Sequence, residues 1–136
     1  LCSRALRFHL GSWDGNISLE RLIISLALGE AVDAVEREEC ASGVMMIPVV
    51  QDGVYEGVEG LNEALATPGV EDIIITAKRA QRLVAWPEGC SYPGFIFARG
   101  PSPEFVESAI RDAHRKLRFR ISPALPVVAP SSSPAQ

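Results

Sequence analysis

Hydrophobic positions along this chain change their spacing several times, and each change marks an element. Leu19, Leu22, Ile23 and Leu26 recur at the interval of a helix face. Asn16 or Ser18 stands where a cap belongs, since its side-chain oxygen can accept from an unpaired backbone N–H. Gly29 supplies the stop, in the left-handed turn that glycine enters without strain. Upstream, residues 3–10 read as a short strand or the end of a helix, and Gly11, Asp14 and Gly15 break the chain after them. Val32–Cys40 is acidic and reads as a helix extension or a loop.

From Ala41 the pattern becomes β-like. Ala41–Gly57 reads as a β-hairpin: a β-prone run at Val44–Val50, an Asp52-Gly53 turn and a strand restarting at Val54-Tyr55. Pro48 has no backbone N–H, which places the first strand at a sheet edge or gives it a bulge. Gly60–Ala66 reads as a short helix stopped before Pro68-Gly69. Val70–Ala77 is a strand whose Ile73, Ile74 and Ile75 predict burial on both faces. Lys78–Gln81 is a polar turn, Leu83–Trp86 a strand ended by Pro87, Glu88–Pro93 a loop and Phe95–Ala98 a further strand.

The clearest helix follows. Ser102 caps it, and Pro103 takes the first position, where a missing N–H costs nothing. Glu104 and Glu107 stand towards its start and Arg111, Arg115, Lys116 and Arg118 towards its end, with Asp112 among them, the broad bias that the helix dipole favours. Val106, Ile110, Ala113 and Leu117 form its apolar stripe, and Phe119–Ile121 suits a last strand. The predicted order, a helix and then β-β-α-β-β-β-α-β, is that of an α+β fold with a mostly antiparallel sheet packed against two main helices.

Composition narrows the class. The chain has 136 residues, 47% hydrophobic and 22% charged, the make-up of one soluble globular domain. Such a domain buries roughly two-thirds of its unfolded surface, but it is small for an enzyme with two substrates and a cofactor. Thirteen Lys and Arg against seventeen Asp and Glu give a net charge of -4, which argues against nucleic-acid and membrane-surface partners. The longest apolar runs, Leu22–Leu28 and Val44–Val50, fall well short of the roughly 18 residues of a membrane span. The first ten residues show no secretory signal. Cys2, Cys40 and Cys90 form no CxxC pair, so neither a zinc site nor a redox motif is indicated, and free thiols fit a reducing cytoplasm. Residues 123–136 hold four of the ten prolines, three consecutive serines, no glycine and no charge, which predicts a disordered tail or linker.

Candidate chemistry is sparse. His114 lies on the predicted helix beside the stripe residue Ala113, and with no nucleophile near it in sequence it reads as structural or surface imidazole. His9 has no ligand partners and reads likewise. Cys90 sits in the loop Glu88-Gly89-Cys90-Ser91-Tyr92, without a partner in sequence to lower its pKa. The basic residues from Arg111 to Arg120 lack interleaved aromatics beyond Phe119 and read as a solvated helix end. No GxGxxG or GxxxxGK[ST] phosphate loop occurs. The loop Gly89–Gly94 has the small and hydroxyl side chains to approach a ligand, and Lys78 at a strand end can face an anion.

Several segments taken together resemble one family. They are Gly57-Val-Glu-Gly-Leu-Asn-Glu-Ala, Pro68-Gly-Val-Glu-Asp, Lys78, Pro87-Glu-Gly-Cys-Ser-Tyr-Pro-Gly-Phe-Ile-Phe-Ala-Arg-Gly, Ser102-Pro-Glu-Phe-Val-Glu and Ala113-His-Arg-Lys-Leu-Arg-Phe. The combination, over about half the chain, resembles the C-terminal subdomain of ATP-grasp carboxylate–amine ligases of the L-amino-acid ligase type. The helix Ile17–Glu30 looks like the one that precedes that subdomain, and Arg4–Gly11 like the strand entering the ATP-grasp active site.

The resemblance implies ATP and Mg²⁺ as the parent family's cofactors, and acyl-phosphate formation followed by amine attack as its chemistry. It also exposes departures. The family's metal-binding segment with its Glu-x-Asn motif has no counterpart between Gly11 and Asn16, and the upstream ATP-binding lysines are expected to be missing too, because the chain starts at Leu1. Where the family carries Lys-x-Gly, this chain reads Lys78-Arg79-Ala80.

Three segments are therefore expected: 1–16 as a remnant of the active-site strand and turn, 17–122 as the subdomain, and 123–136 as the tail. Leu1 in place of Met suggests a truncation point within a longer chain. The expected function is that of a ligase C-terminal module, inactive alone and binding no cofactor itself. The alternative is a non-catalytic module that dimerises, or docks on a partner ligase chain, through its sheet edge or apolar helix face. The small-molecule substrate belongs to the parent family. No catalytic, cofactor-binding or metal-ligating residue is assigned, and Lys78, Ser91, Tyr92 and Arg99 are the ligand-contact candidates.

Overall fold

The computed structural model describes residues 5–10, 16–32, 35–85, 87–89 and 91–123. Its strands are β1 (Phe8–Leu10), β2 (Asn16–Ile17), β3 (Val35–Arg37), β4 (Ala41–Met46), β5 (Gly53–Glu59), β6 (Val70–Ile75), β7 (Arg82–Leu83), β8 (Gly94–Gly100) and β9 (Arg118–Ser122). Its helices are α1 (Leu19–Ala27), α2 (Leu61–Leu65) and α3 (Pro103–Lys116). The fold is α+β, and from α1 onward the predicted order is found with one addition, β3. Cys90, Trp86, the side chain of His9 and the predicted tail beyond Pro123 lie outside the described residues, as do residues 1–4 and 11–15 of the first expected segment.

Among the described residues every strand pairing is antiparallel, but the strands form three sheets of three: β2-β1-β3, β4-β8-β6 and β7-β5-β9. The predicted hairpin between β4 and β5 is therefore corrected. β4 pairs with β8 from Ala41↔Gly100 to Met46↔Phe95, while β5 pairs with β7 and β9. The chain passes from one sheet to the other through residues 47–52. Ile47 and Val49 are buried in different apolar clusters there, and Pro48 cannot extend the ladder. Asp52, instead of closing a hairpin, accepts the Ala85 N–H at 2.7 Å.

Two further readings change. Val32–Cys40 contains β3 rather than a helix extension, because β1 supplies it with a ladder. β6 is an edge strand, since the continuous buried run Ile96-Phe97-Ala98 makes β8 the central one.

The main core lies between the β4-β8-β6 sheet and α3 with α2. Ile47, Ile73, Ile96 and Ala98 pack against Val106, Ala109, Ile110, Ala113 and Leu117. Ser102 caps α3, its Oγ accepting the Phe105 N–H at 3.3 Å. Gly60 sits between α2 and the end of α3 at φ +79°, and a β-carbon there would lie 2.0 Å from the Lys116 carbonyl oxygen, so only glycine fits. A second cluster of Val49, Tyr55 and Leu83 fills the β7-β5-β9 sheet, and half-buried Ile75 and Phe119 join the two.

α1 does not pack as its stripe predicts. Ser18 caps it and Gly29 (φ +74°) follows its end, yet none of its residues is buried. Ile23, Ile24, Leu26 and Leu28 are 56–71% exposed. No helix among the described residues is long and apolar enough to cross a membrane.

Candidate functional site

Among the described residues, linked charges gather where the N-terminal segment crosses the face of the β4-β8-β6 sheet opposite α3. Arg99, near the end of β8, is 11% exposed and splits its donors three ways. Its Nε donates to Glu71 Oε1 at 3.0 Å, Nη1 to Glu38 Oε2 at 2.5 Å and Nη2 to the Ala5 carbonyl at 3.1 Å. Arg7 approaches the same Glu71 carboxylate, at 3.1 and 3.3 Å. A bulge explains the position of Glu71. The ladder between β6 and β8 slips between Val70 and Asp72, and the extra residue is free to swing its carboxylate towards both guanidinium groups.

Beside this cluster runs a groove of about 780 Å³. Its floor follows β4, one wall is the segment Arg37–Cys40 with Ala5–Arg7, and the other is the outer face of α3 with Glu107 and Arg111. Apolar Met45, Val106 and Ile110 lie inside a charged rim. Cys40 is exposed there as a free thiol.

The four sequence candidates divide between two ends of the sheet. Lys78, Ser91 and Tyr92 lie at the end where Ile75 faces Gly94. The Thr76 and Ala77 N–H groups both donate to the Pro93 carbonyl, at 2.9 and 3.1 Å, and the Thr76 hydroxyl donates to the Tyr92 carbonyl at 2.9 Å. These bonds bring the Lys78 turn and the Ser91-Tyr92 loop together, with all three side chains exposed. Arg99 lies towards the opposite end, about 17 Å along β8 from Gly94. The structure thus gives three candidates a shared rim and places the fourth within an ion cluster.

The Lys78 turn itself is held by the Gln81 N–H donating to the Lys78 carbonyl and the Ala80 N–H to the Tyr55 carbonyl, both at 2.9 Å. Ala80 adopts φ +67°, the left-handed conformation that suits the glycine of a Lys-x-Gly turn better than alanine.

His114 is half-buried in the last turn of α3, where its carbonyl accepts the Leu117 N–H at 3.1 Å. Most of the basic run from Arg111 to Arg120 has partners. Arg111 pairs with Glu107 at 2.6 Å, Arg115 with Asp112, and Arg120 with Glu59 at 3.3 Å. Lys116 donates to the buried Thr67 hydroxyl at 2.8 Å.

Sequence reasoning missed Glu38, Glu71 and Arg7. One signal was legible: an arginine closing the apolar run Phe95–Ala98 in a buried strand calls for carboxylate partners. Which carboxylates answer it was not legible, because they lie 28 and 61 residues away.

Known proteins share this architecture. The structure matches that of an L-amino acid ligase from Bacillus licheniformis with a TM-score of 0.66 and 25% sequence identity. The match covers 78% of this chain and 27% of that one. A Sinorhizobium fredii protein named "Uncharacterized protein y4rH" is 26% identical over 100 residues, which is 74% of this chain and 21% of the relative. The chain thus spans only about a quarter of the ligase and a fifth of the relative. The sequence profile described as L-amino acid ligase C-terminal domain 2 matches residues 45–122. That profile takes in more than half of the chain, from β4 through β9, and the chain belongs to the L-amino acid ligase C-terminal domain 2 family.

Proposed function

We propose that this chain is the framing C-terminal domain of an ATP-dependent carboxylate–amine ligase, and that it holds neither ATP nor Mg²⁺ itself. The observation that carries this reading is the closure of the charge cluster. Mg²⁺ requires converging carboxylate oxygens, and triphosphate requires cations with donors to spare. Here Glu38 and Glu71 already neutralise Arg99, and Arg99 gives donors to both and to a carbonyl. The donor set fits neither group, so no step of a ligase reaction is assigned to it. Lys78, Ser91 and Tyr92 are assigned as contacts of the ligase's small-molecule substrate, a reading supported by their grouping on one exposed rim.

The partner is the remaining body of a ligase, reached through α1. Four large aliphatic side chains exposed within about two turns make an apolar patch on the order of a few hundred Å², the size associated with interaction surfaces. The B. licheniformis ligase extends well beyond the matched quarter, which is where such a body would lie. The paired basic run and the net charge of -4 support a protein partner over nucleic acid. The expected compartment is the cytoplasm.

Calorimetric titration of the chain with Mg·ATP tests the nucleotide reading. No saturable heat is expected. Saturable binding, or ATP hydrolysis dependent on an amino-acid acceptor, would overturn it.

A further inference from the structure

We infer that the free edge of β4 is a self-association surface, occupied by β4 of a second copy of this chain running antiparallel across a two-fold axis near Gly43. The proposal is independent of the nucleotide reading and uses a different surface from α1.

The first observation concerns backbone groups. The Ile47 N–H donates to the Gly94 carbonyl directly opposite, at 3.0 Å. Alternation in an antiparallel ladder then turns Met45, Gly43 and Ala41 towards β8 and leaves Ser42, Val44 and Met46 directing N–H and C=O outward. Among the described residues no strand pairs on that side.

The two edges of this sheet are treated differently. β6 carries Glu71, Asp72 and a bulge, all devices that discourage pairing. β4 reads Ala-Ser-Gly-Val-Met-Met, with no charge, no proline and an unbroken register.

The helix above the edge fits a second copy. α3 packs on β4 and β8 about equally. Joining two β4 edges would therefore set the two α3 helices two interstrand spacings apart, about 10 Å, an ordinary distance for packed helices. Because Pro101-Ser102 is a tight reversal after β8, α3 runs in the direction of β4, and its two copies would be antiparallel.

Charge supplies the register. A β-carbon on Gly43 would lie 2.8 Å from Val106 Cγ1 and 3.2 Å from Ile110 Cδ1, so Gly43 sits beneath the middle of α3. A two-fold axis there passes between Glu107 and Arg111, which both line the groove. Each Glu107 then lies beside the partner's Arg111, the self-complementarity that an isologous interface requires. Ser42 exchanges backbone bonds with the partner's Val44. One strand and one helix face make an interface at the small end of specific contacts, so association in the micromolar range is expected.

Sedimentation equilibrium of the chain from about 5 to about 500 µM, spanning that range, tests this. A monomer–dimer equilibrium is expected. Val44→Pro removes an N–H that the fold does not use, and it should weaken association at least tenfold with an unchanged circular dichroism spectrum. Glu107→Arg or Arg111→Glu alone should also weaken it. The double exchange E107R/R111E should restore self-association, yet fail to form mixed dimers with the wild type. A strict monomer throughout, wild-type dimerisation by Val44→Pro, or free mixing of the double exchange with the wild type would each overturn the proposal.

Discussion

Replacing Arg99 by alanine tests whether the ion cluster holds the N-terminal segment to the sheet. The substitution leaves Glu38 and Glu71 facing a vacated site, 21% and 33% exposed. Breaking a fully buried pair costs about 3–5 kcal/mol, and an exposed pair is worth at most about 1 kcal/mol. A guanidinium that is 11% exposed between partly screened carboxylates falls between these limits, at about 2 kcal/mol. That is roughly a thirtyfold fall in the folded-to-unfolded ratio. In urea it should lower the unfolding midpoint by about 1 M.

Location matters as much as size. β1 and β3 pair with each other, and this cluster ties the residues flanking them, Arg7, Glu38 and Ala5, to the β4-β8-β6 sheet. Amides of Phe8–Leu10 and Val35–Arg37 should therefore lose exchange protection before those of β8. Arg99→Lys should recover less than half of the loss, because one ammonium cannot span three acceptors as a planar fork does. A change below about 0.5 kcal/mol in Arg99→Ala, within the range of ordinary surface substitutions, would refute the reasoning. So would unchanged exchange in β1 and β3.

Ala80→Gly should stabilise the chain by about 1 kcal/mol, since relief of a left-handed alanine at φ +67° outweighs the added freedom of the unfolded glycine; a lower urea midpoint would show the turn is not strained. Burial raises the Tyr55 pKa above its ordinary 10.0, with Arg79 opposing in part. The folded state then holds the phenolic proton more tightly, so this contribution is complete below pH 10 and is lost as pH rises beyond it. Urea midpoints at about pH 8 and about pH 10.5 should fall less in Tyr55→Phe than in the wild type, and equal falls would remove Tyr55 as the cause. Ile96→Ala opens a cavity at a fully buried position and should cost about 3–4 kcal/mol by urea unfolding; a loss under about 1.5 kcal/mol would mean the site collapses around it.

What the sequence determined by itself is local. Ser102, Pro103 and the stripe Val106-Ile110-Ala113-Leu117 specify α3, because capping and helical periodicity act within a few residues of each other. The same locality made α2, β8, β9 and the Lys78 turn legible, and the motif combination pointed to the family. Pairing was decided only by the tertiary structure. Asp52-Gly53 has the chemistry of a hairpin turn, yet Ile47 and Val49 gain more by entering two separate clusters, which sends β4 and β5 into different sheets. The stripe on α1 announces a buried face, but which surface covers it depends on neighbours that periodicity does not name. The partners of Arg99 follow the same rule. Its burial in an apolar strand demanded carboxylates, and only the fold, with its bulge at Glu71, brought residues 28 and 61 positions away within bonding distance.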